Sequence, residues 1–157
     1  MVAALVALLS GCGSGFDATS TKPYSPSDGI RADSGDIRVL NALVVASETG
    51  SDGTVSATVV NQGNRVDRLT GITSPDGTVE LSGTGALPAG GSITLGPAGD
   101  TTASLRDLAS SAGQTVTLEL AFARTDTVRL TTVIVAATGD YAELAPSPAA
   151  SASTPSP

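Results

Sequence analysis

From Asp36 onward the chain is written in short apolar runs separated by turn residues, and inside the runs apolar and polar positions alternate. Val55, Ala57 and Val59 alternate with Thr54, Ser56 and Thr58. Val116, Leu118, Leu120 and Phe122 alternate with Thr115, Thr117, Glu119 and Ala121. A period of two sends successive side chains to opposite faces of an extended chain, so both segments predict half-buried strands. Asp36–Ala46, Val66–Thr73, Val79–Leu81 and Ser92–Leu95 read as further strands, bounded by Gly-, Asn- and Pro-rich turns such as Asn61-Gln62-Gly63-Asn64 and Ser74-Pro75-Asp76-Gly77. Thr101–Leu105 reads as another short strand, with one helical turn over Ser104–Ala112 as the alternative, Leu105 and Leu108 facing inward. Val128–Ala136 closes the series. Its inward phase moves from Val128 and Leu130 to Val133 and Val135, which predicts a bulge near Thr131-Thr132. About seven or eight short strands at this spacing predict an all-β domain, an antiparallel Greek-key β-sandwich.

The flanks follow other rules. Met1 to Leu9 are almost all apolar and lead into Leu9-Ser10-Gly11-Cys12. This stretch falls well short of the ~20 residues that cross a bilayer as a helix, but it has the length of the apolar region of a secretory signal. Its ending resembles a bacterial lipobox, in which small residues precede a Cys whose thiol receives a diacylglyceryl group and which cleavage leaves as the first residue. Residues 1–11 are therefore expected to be a lipoprotein signal peptide and Cys12 the lipidation site, anchoring the chain at the extracytoplasmic face of the cell membrane. Such a signal opens with a basic region, whereas Val2 follows Met1 directly, so either a start codon upstream of Met1 or a trimmed sequence is expected. Residues 12–34 are rich in Ser, Thr, Gly, Asp and Pro without an apolar period and read as a flexible tether. Residues 145–157 contain only Ala, Pro, Ser and Thr and read as a disordered tail, leaving 35–144 as the sandwich domain.

Composition narrows the chemistry. The 157 residues include no His, no Trp, one Cys and one Met, with 8 basic against 15 acidic residues and a net charge of −7. Without His there is no Ser-His-Asp or Cys-His nucleophile pair and no imidazole metal site. A single Cys forms neither an internal disulfide nor a Cys-x-x-Cys clamp. The acidic balance argues against nucleic acid and against electrostatic docking on anionic lipid. A Ser–Lys dyad would need Lys22, which lies in the tether. Glu80 and Glu119 are a formal carboxylate pair, but strand alternation points Glu119 away from the apolar side. Asp52-Gly53 and Asp76-Gly77 read as turns rather than Ca²⁺ loops. No enzyme activity, cofactor or metal is expected.

The middle of the chain carries a pattern of its own. Asn61-x-Gly63-x-x-x-Asp67-x-Leu69-x-Gly71-Ile72-x-Ser74-Pro75, followed by Val79-Glu80-Leu81, resembles the periplasmic copper chaperone family PCu(A)C. So do Leu87-Pro88-Ala89-Gly90-Gly91-Ser92-Ile93-Thr94-Leu95-x-Pro97 and Gly113–Phe122. With its lipobox and polar flanks the whole chain is similar to LpqE-type actinobacterial lipoproteins of that superfamily. The resemblance implies a Greek-key sandwich of cupredoxin-like or immunoglobulin-like shape. It also implies Cu(I) held by His and Met, and here the chain departs from it. Leu81-Ser82 stand where one family His follows the Val-Glu segment, and Thr101, Thr102 and Ala103 stand where the family's His-x-Met is found. After removal of residues 1–11 the chain has neither His nor Met, so no copper is expected.

Arg65, Asp67 and Arg68 cluster beside the Asn61–Gly63 turn; they read as a solvated loop end or, since Arg is favoured at interfaces, as the candidate partner contacts. The reading is a non-enzymatic envelope lipoprotein whose sandwich binds a membrane protein. The family context implies a copper-dependent respiratory complex as one candidate environment. The alternative is a copper metallochaperone with unconventional ligands.

Overall fold

The computed structural model describes residues 29–47 and 51–146. The strands follow the chain as β1 (Ile30–Ser34), β2 (Ile37–Ala46), β3 (Gly53–Asn61), β4 (Asp67–Thr73), β5 (Thr78–Gly83), β6 (Ala86–Leu87), β7 (Ser92–Leu95), β8 (Thr101–Arg106), β9 (Thr115–Phe122) and β10 (Val128–Ala136), with a 3-10 helix over Gly139–Leu144. Hydrogen bonding orders them β5-β8-β7-β3-β2-β10-β9-β4-β6, with β1 added to β2. This one curled sheet folds into two layers, and the chain changes layer at β3–β4, β4–β5, β5–β6, β6–β7 and β8–β9. Between the layers lies a single core of Val, Leu, Ile and Ala. Val39, Val44, Val59, Leu95 and Leu105 come from one side, and Leu69, Ile72, Leu118, Leu120 and Leu130 from the other. The all-β sandwich expected from the alternation is what forms. Most neighbours run antiparallel, but β10 pairs with β2 in parallel, Ile134 opposite Val44 and Ala136 opposite Ala46, and Leu95 of β7 meets Thr101 of β8 in parallel.

Three local expectations are corrected. The tether was expected to run through Ser34, yet Ile30–Ser34 form β1, antiparallel to β2 with Ser34 opposite Ile37 and Ile30 opposite Ala42. Its residues are exposed or half-buried, with only Ala32 packed against the core, so pairing of its backbone with the edge of β2 is what chiefly orders it. Arg31 and Arg38 flank Asp33 on this surface at 2.8 and 3.6 Å. The hydrogen bond from Arg31 holds the Asp33 carboxyl below the usual carboxylate range. Second, no helical turn forms over Ser104–Ala112. Thr101–Arg106 is a strand, and the buried Leu105 and Leu108 are carried in by β8 and the loop after it.

Third, the expected bulge lies in β2 rather than in β10. The β9–β10 register runs unbroken from Val128 opposite Leu120 to Val133 opposite Thr115. Inward positions along β10 are Val128, Leu130, Thr132 and Ile134, so Val133 and Val135 do not face the core. In β2 the pairing with β3 slips between Leu40 and Leu43, and Asn41 takes φ = 53°, a left-handed conformation that Asn tolerates better than most residues. At this kink the edge of β2 changes partner, from β1 before it to β10 after it. Gly29 packs against it so closely that a Cβ would stand 2.4 Å from the Asn41 carbonyl carbon. The buried Thr132 hydroxyl donates to the Ala42 carbonyl of the same kink. Thr132→Val keeps shape but leaves that buried carbonyl without this donor, and is expected to cost about 1–3 kcal/mol in chemical denaturation. A variant as stable as the parent would show that the bond contributes nothing.

Candidate functional site

One end of the sandwich is built by turns that tie to one another through side chains. Asn61, the last residue of β3, is 2 % exposed. Its Nδ2 donates to the Arg65 carbonyl at 2.7 Å and lies 3.4 Å from the Leu87 carbonyl, while its Oδ1 accepts from the Gly63 N–H at 3.0 Å. The Gly90 N–H donates to the Gly63 carbonyl at 3.0 Å and the Asn61 N–H to the Gly91 carbonyl at 2.8 Å. The two stretches that carried the resemblance, Asn61-x-Gly63 and Pro88-Ala89-Gly90-Gly91, thus form one knot. Gly63 is required there by proximity, since a Cβ would fall 2.5 Å from Asp36 Oδ2.

Asp67 opens β4 and bridges to the β9–β10 turn. Its Oδ1 accepts from the N–H groups of Arg68 at 2.7 Å and Arg124 at 3.0 Å. Its Oδ2 accepts from the Thr125 N–H at 3.1 Å and the Thr125 hydroxyl at 2.8 Å. The carboxylate is spent on backbone and hydroxyl donors, so Asp67 orders the turn. Arg65 and Arg68 are exposed, as is Arg124, which sequence reasoning passed over. Its only local signal was a position in the Ala123–Thr127 turn, because a contact with the β4 start depends on tertiary pairing. A cleft of about 210 Å³ opens here, lined by residues including Asp36, Arg65, Val66, Asp67, Arg124 and Thr125. Val66 is a large apolar side chain left 65 % exposed.

The second place where chemistry was sought is the β5–β8 pair. Register sets Leu81 opposite Ala103, Ser82 opposite Thr102 and Gly83 opposite Thr101. The positions matched to copper ligands are therefore neighbours in space, separated in sequence but adjacent across one strand pair. They offer hydroxyls and aliphatic carbon, whereas Cu(I), a soft ion, is held by thioether, thiolate or imidazole. The residues present do not fit copper. Among the described residues no three His, Cys, Asp or Glu side chains gather as a metal site. Glu80 and Glu119 each face a different arginine: Glu80 faces Arg106 at 3.8 Å, which it shares with Asp52, and Glu119 faces Arg129 at 3.6 Å. Cys12 and Lys22 lie outside the described residues, and among the described residues no helix is long and apolar enough to cross a membrane.

Comparison with known families decides the kinship. The model of the family described as "Putative lipoprotein LpqE-like" matches residues 37–135, from the first residue of β2 to the end of β10. The chain belongs to the LpqE-like family. No curated protein sequence matches it. Solved structures resemble this LpqE-like chain in fold. The apo PCuAC domain from PmoF1 superposes with a TM-score of 0.62 at 21% identity, over 68% of this chain and 99% of that domain. The copper-bound PCuAC domain from PmoF2 gives 0.59 at 23%, over 68% and 98%. The solution structure of apo-DR1885 from Deinococcus radiodurans gives 0.51 at 21%, over 79% and 96%. At these identities the likeness is one of fold. The LpqE-like barrel is a PCuAC-type sandwich, and its residues at the matched ligand positions lack copper donors.

Proposed function

We propose that this LpqE-like protein is a non-enzymatic interaction module of the cell envelope, lipidated at Cys12 on the extracytoplasmic face of the cell membrane, which binds a membrane-protein partner in place of copper. The observation that carries this reading is the β5–β8 pair. The positions are brought together as a site would require, and the side chains there are Leu81, Ser82, Thr101, Thr102 and Ala103. A fold hosts many functions, while a metal site needs its donor atoms. Copper-dependent respiratory complexes remain the candidate environment that the family context offers.

Residues 13–157, made without the lipid, are expected to lose a competition for Cu(I) against a strong chelator and to show no rise in melting temperature with the metal. The same reading expects Cys12→Ser to move the protein from the membrane fraction to the soluble or secreted one. Tight one-to-one Cu(I) binding would restore the metallochaperone with unconventional ligands. A Cys12→Ser protein that stays with carbonate-washed membranes would remove the lipid anchor from the reading.

A further inference from the structure

Resting on the interaction-module reading, we propose that the cleft beside the Asn61 knot is the docking surface, and that its partner is an acidic protein segment, one carboxylate side chain entering between Arg65 and Arg124. The argument begins with charge bookkeeping. Among the described arginines, Arg31, Arg38, Arg106 and Arg129 stand beside carboxylates at 2.8, 3.6, 2.9 and 3.6 Å. Arg65, Arg68 and Arg124 form no ion pair with a described residue, in a chain with 15 acidic residues against 8 basic ones. All three lie at one end of the sandwich.

Their grouping follows from Asp67. One of its oxygens accepts from the peptide N–H groups of both Arg68 and Arg124, which fixes those two backbones side by side. Arg65 is fixed by its own carbonyl, held by Asn61 Nδ2. The backbones are thus pinned while the guanidiniums stay available, and a pinned donor loses less freedom on binding. Asp67 offers the arginines little competition, its carboxylate being taken up by the Arg68 N–H and three donors of the β9–β10 turn, and Asp36, the other carboxylate on the cleft, forms no ion pair with them. Exposed Val66 sits among them on the same cleft wall, giving an apolar contact beside the charges, the mixture typical of a protein interface.

A lipid surface fits less well. Three arginines without a lysine fall below the ~4–8 basic residues of membrane-binding clusters. The arginines are also at the pole away from Ile30, where β1 begins, and from Ala136, where β10 ends. Ile30 pairs with Ala42, while Ile37, five residues back along β2, pairs with Asn61 at the arginine end. β10 runs parallel to β2, so it too finishes at the pole opposite the arginines. The segment leading back to Cys12 therefore joins the sandwich about 16 Å from the cleft end of β2, at ~3.3 Å per strand residue.

The test uses residues 12–157 produced without acylation and four probes: an octapeptide alternating Glu and Leu with blocked ends, its Gln-for-Glu counterpart, inorganic phosphate, and phosphatidylglycerol vesicles. In NMR titrations the Glu peptide is expected to shift amides of residues 61–68 and 123–126. Its affinity is expected to fall about five-fold between 50 and 300 mM salt and about ten-fold or more in Arg65→Ala/Arg124→Ala. Arg129→Ala, at an ion pair elsewhere, should bind as the parent does. The double variant alters two exposed side chains and should keep the parent's melting temperature. Arg65→Lys/Arg124→Lys then separates charge from the guanidinium fork, by restoring part of the affinity. Equal binding of the Gln peptide, shifts confined to other surfaces, or an unaffected double variant would overturn the proposal. Saturation by phosphate alone would reassign the cleft to a free anion, and vesicle binding without peptide binding would reassign it to lipid. Absence of peptide binding in a protein that still ignores Cu(I) would reject the acidic partner while leaving the interaction module in place. Cu(I) capture would remove the module itself.

Discussion

Leu120→Asp is expected to unfold the domain. Leu120 is 1 % exposed, in the middle of β9, with Val128 opposite it on β10 and Ile72 opposite it on β4. A carboxylate there meets apolar side chains from both neighbouring strands and has no basic group to pair with among the core residues. Burying an unpaired charge costs on the order of 4 kcal/mol or more, against ~5–15 kcal/mol for a whole domain. Circular dichroism should show loss of the cooperative melt, and the protein should collect in the insoluble fraction. Leu120→Met, close in volume, should stay folded at a cost under ~1.5 kcal/mol. A soluble Leu120→Asp with the parent's melt would mean that the β9 phase described here is wrong.

Asp67→Ala should give the second-largest loss, about 2–4 kcal/mol, because the carboxylate's four donors are deprived of their acceptor at once and three of them are peptide N–H groups. The damage should be local in character. Amide exchange at Arg124 and Thr125 should accelerate more than exchange in β9, since the β9–β10 turn loses its tie to β4. Asp67→Asn keeps a single carbonyl oxygen and should fall between parent and Ala. A melt for Asp67→Ala within about one degree of the parent would show that solvent replaces the carboxylate without penalty and would return Asp67 to the list of available surface groups.

The sandwich was readable in the sequence where hydrophobicity and strand phase agree. Val116, Leu118 and Leu120 all point inward as their alternation says, and the Asn61–Gly63 turn lies where its residues place it. The bulge was misplaced because polar residues can occupy inward or kinked positions that hydropathy does not mark. Thr132 is β-branched like Val and fits an inward position once its hydroxyl has an acceptor, but that acceptor, the Ala42 carbonyl, is 90 residues away. Asn41 stands inside the apolar run Val39–Val45; it was the local mark of the bulge, as an Asn able to take positive φ. β1 escaped because an edge strand recruited by backbone pairing needs no hydrophobic face. Of the candidate contacts, Arg65 and Arg68 are exposed where the sequence put them, whereas Asp67 is turned to an internal use that only the β4–β9 pairing reveals.

The parallel seam between β2 and β10 bears on how the chain becomes a barrel at all. β2 is among the first strands made and β10 is the last among the described residues, so the seam cannot form until Val128–Ala136 has emerged. Contacts this distant in sequence make folding slow, in the millisecond-to-second range for all-β domains of high contact order. Throughout that interval Val44, Val45 and Ala46 present an unpaired apolar edge, the kind of surface that joins a second copy of the chain edge to edge. A chain interrupted before Val128 keeps that edge permanently, which makes the last strand the step on which solubility during biogenesis depends.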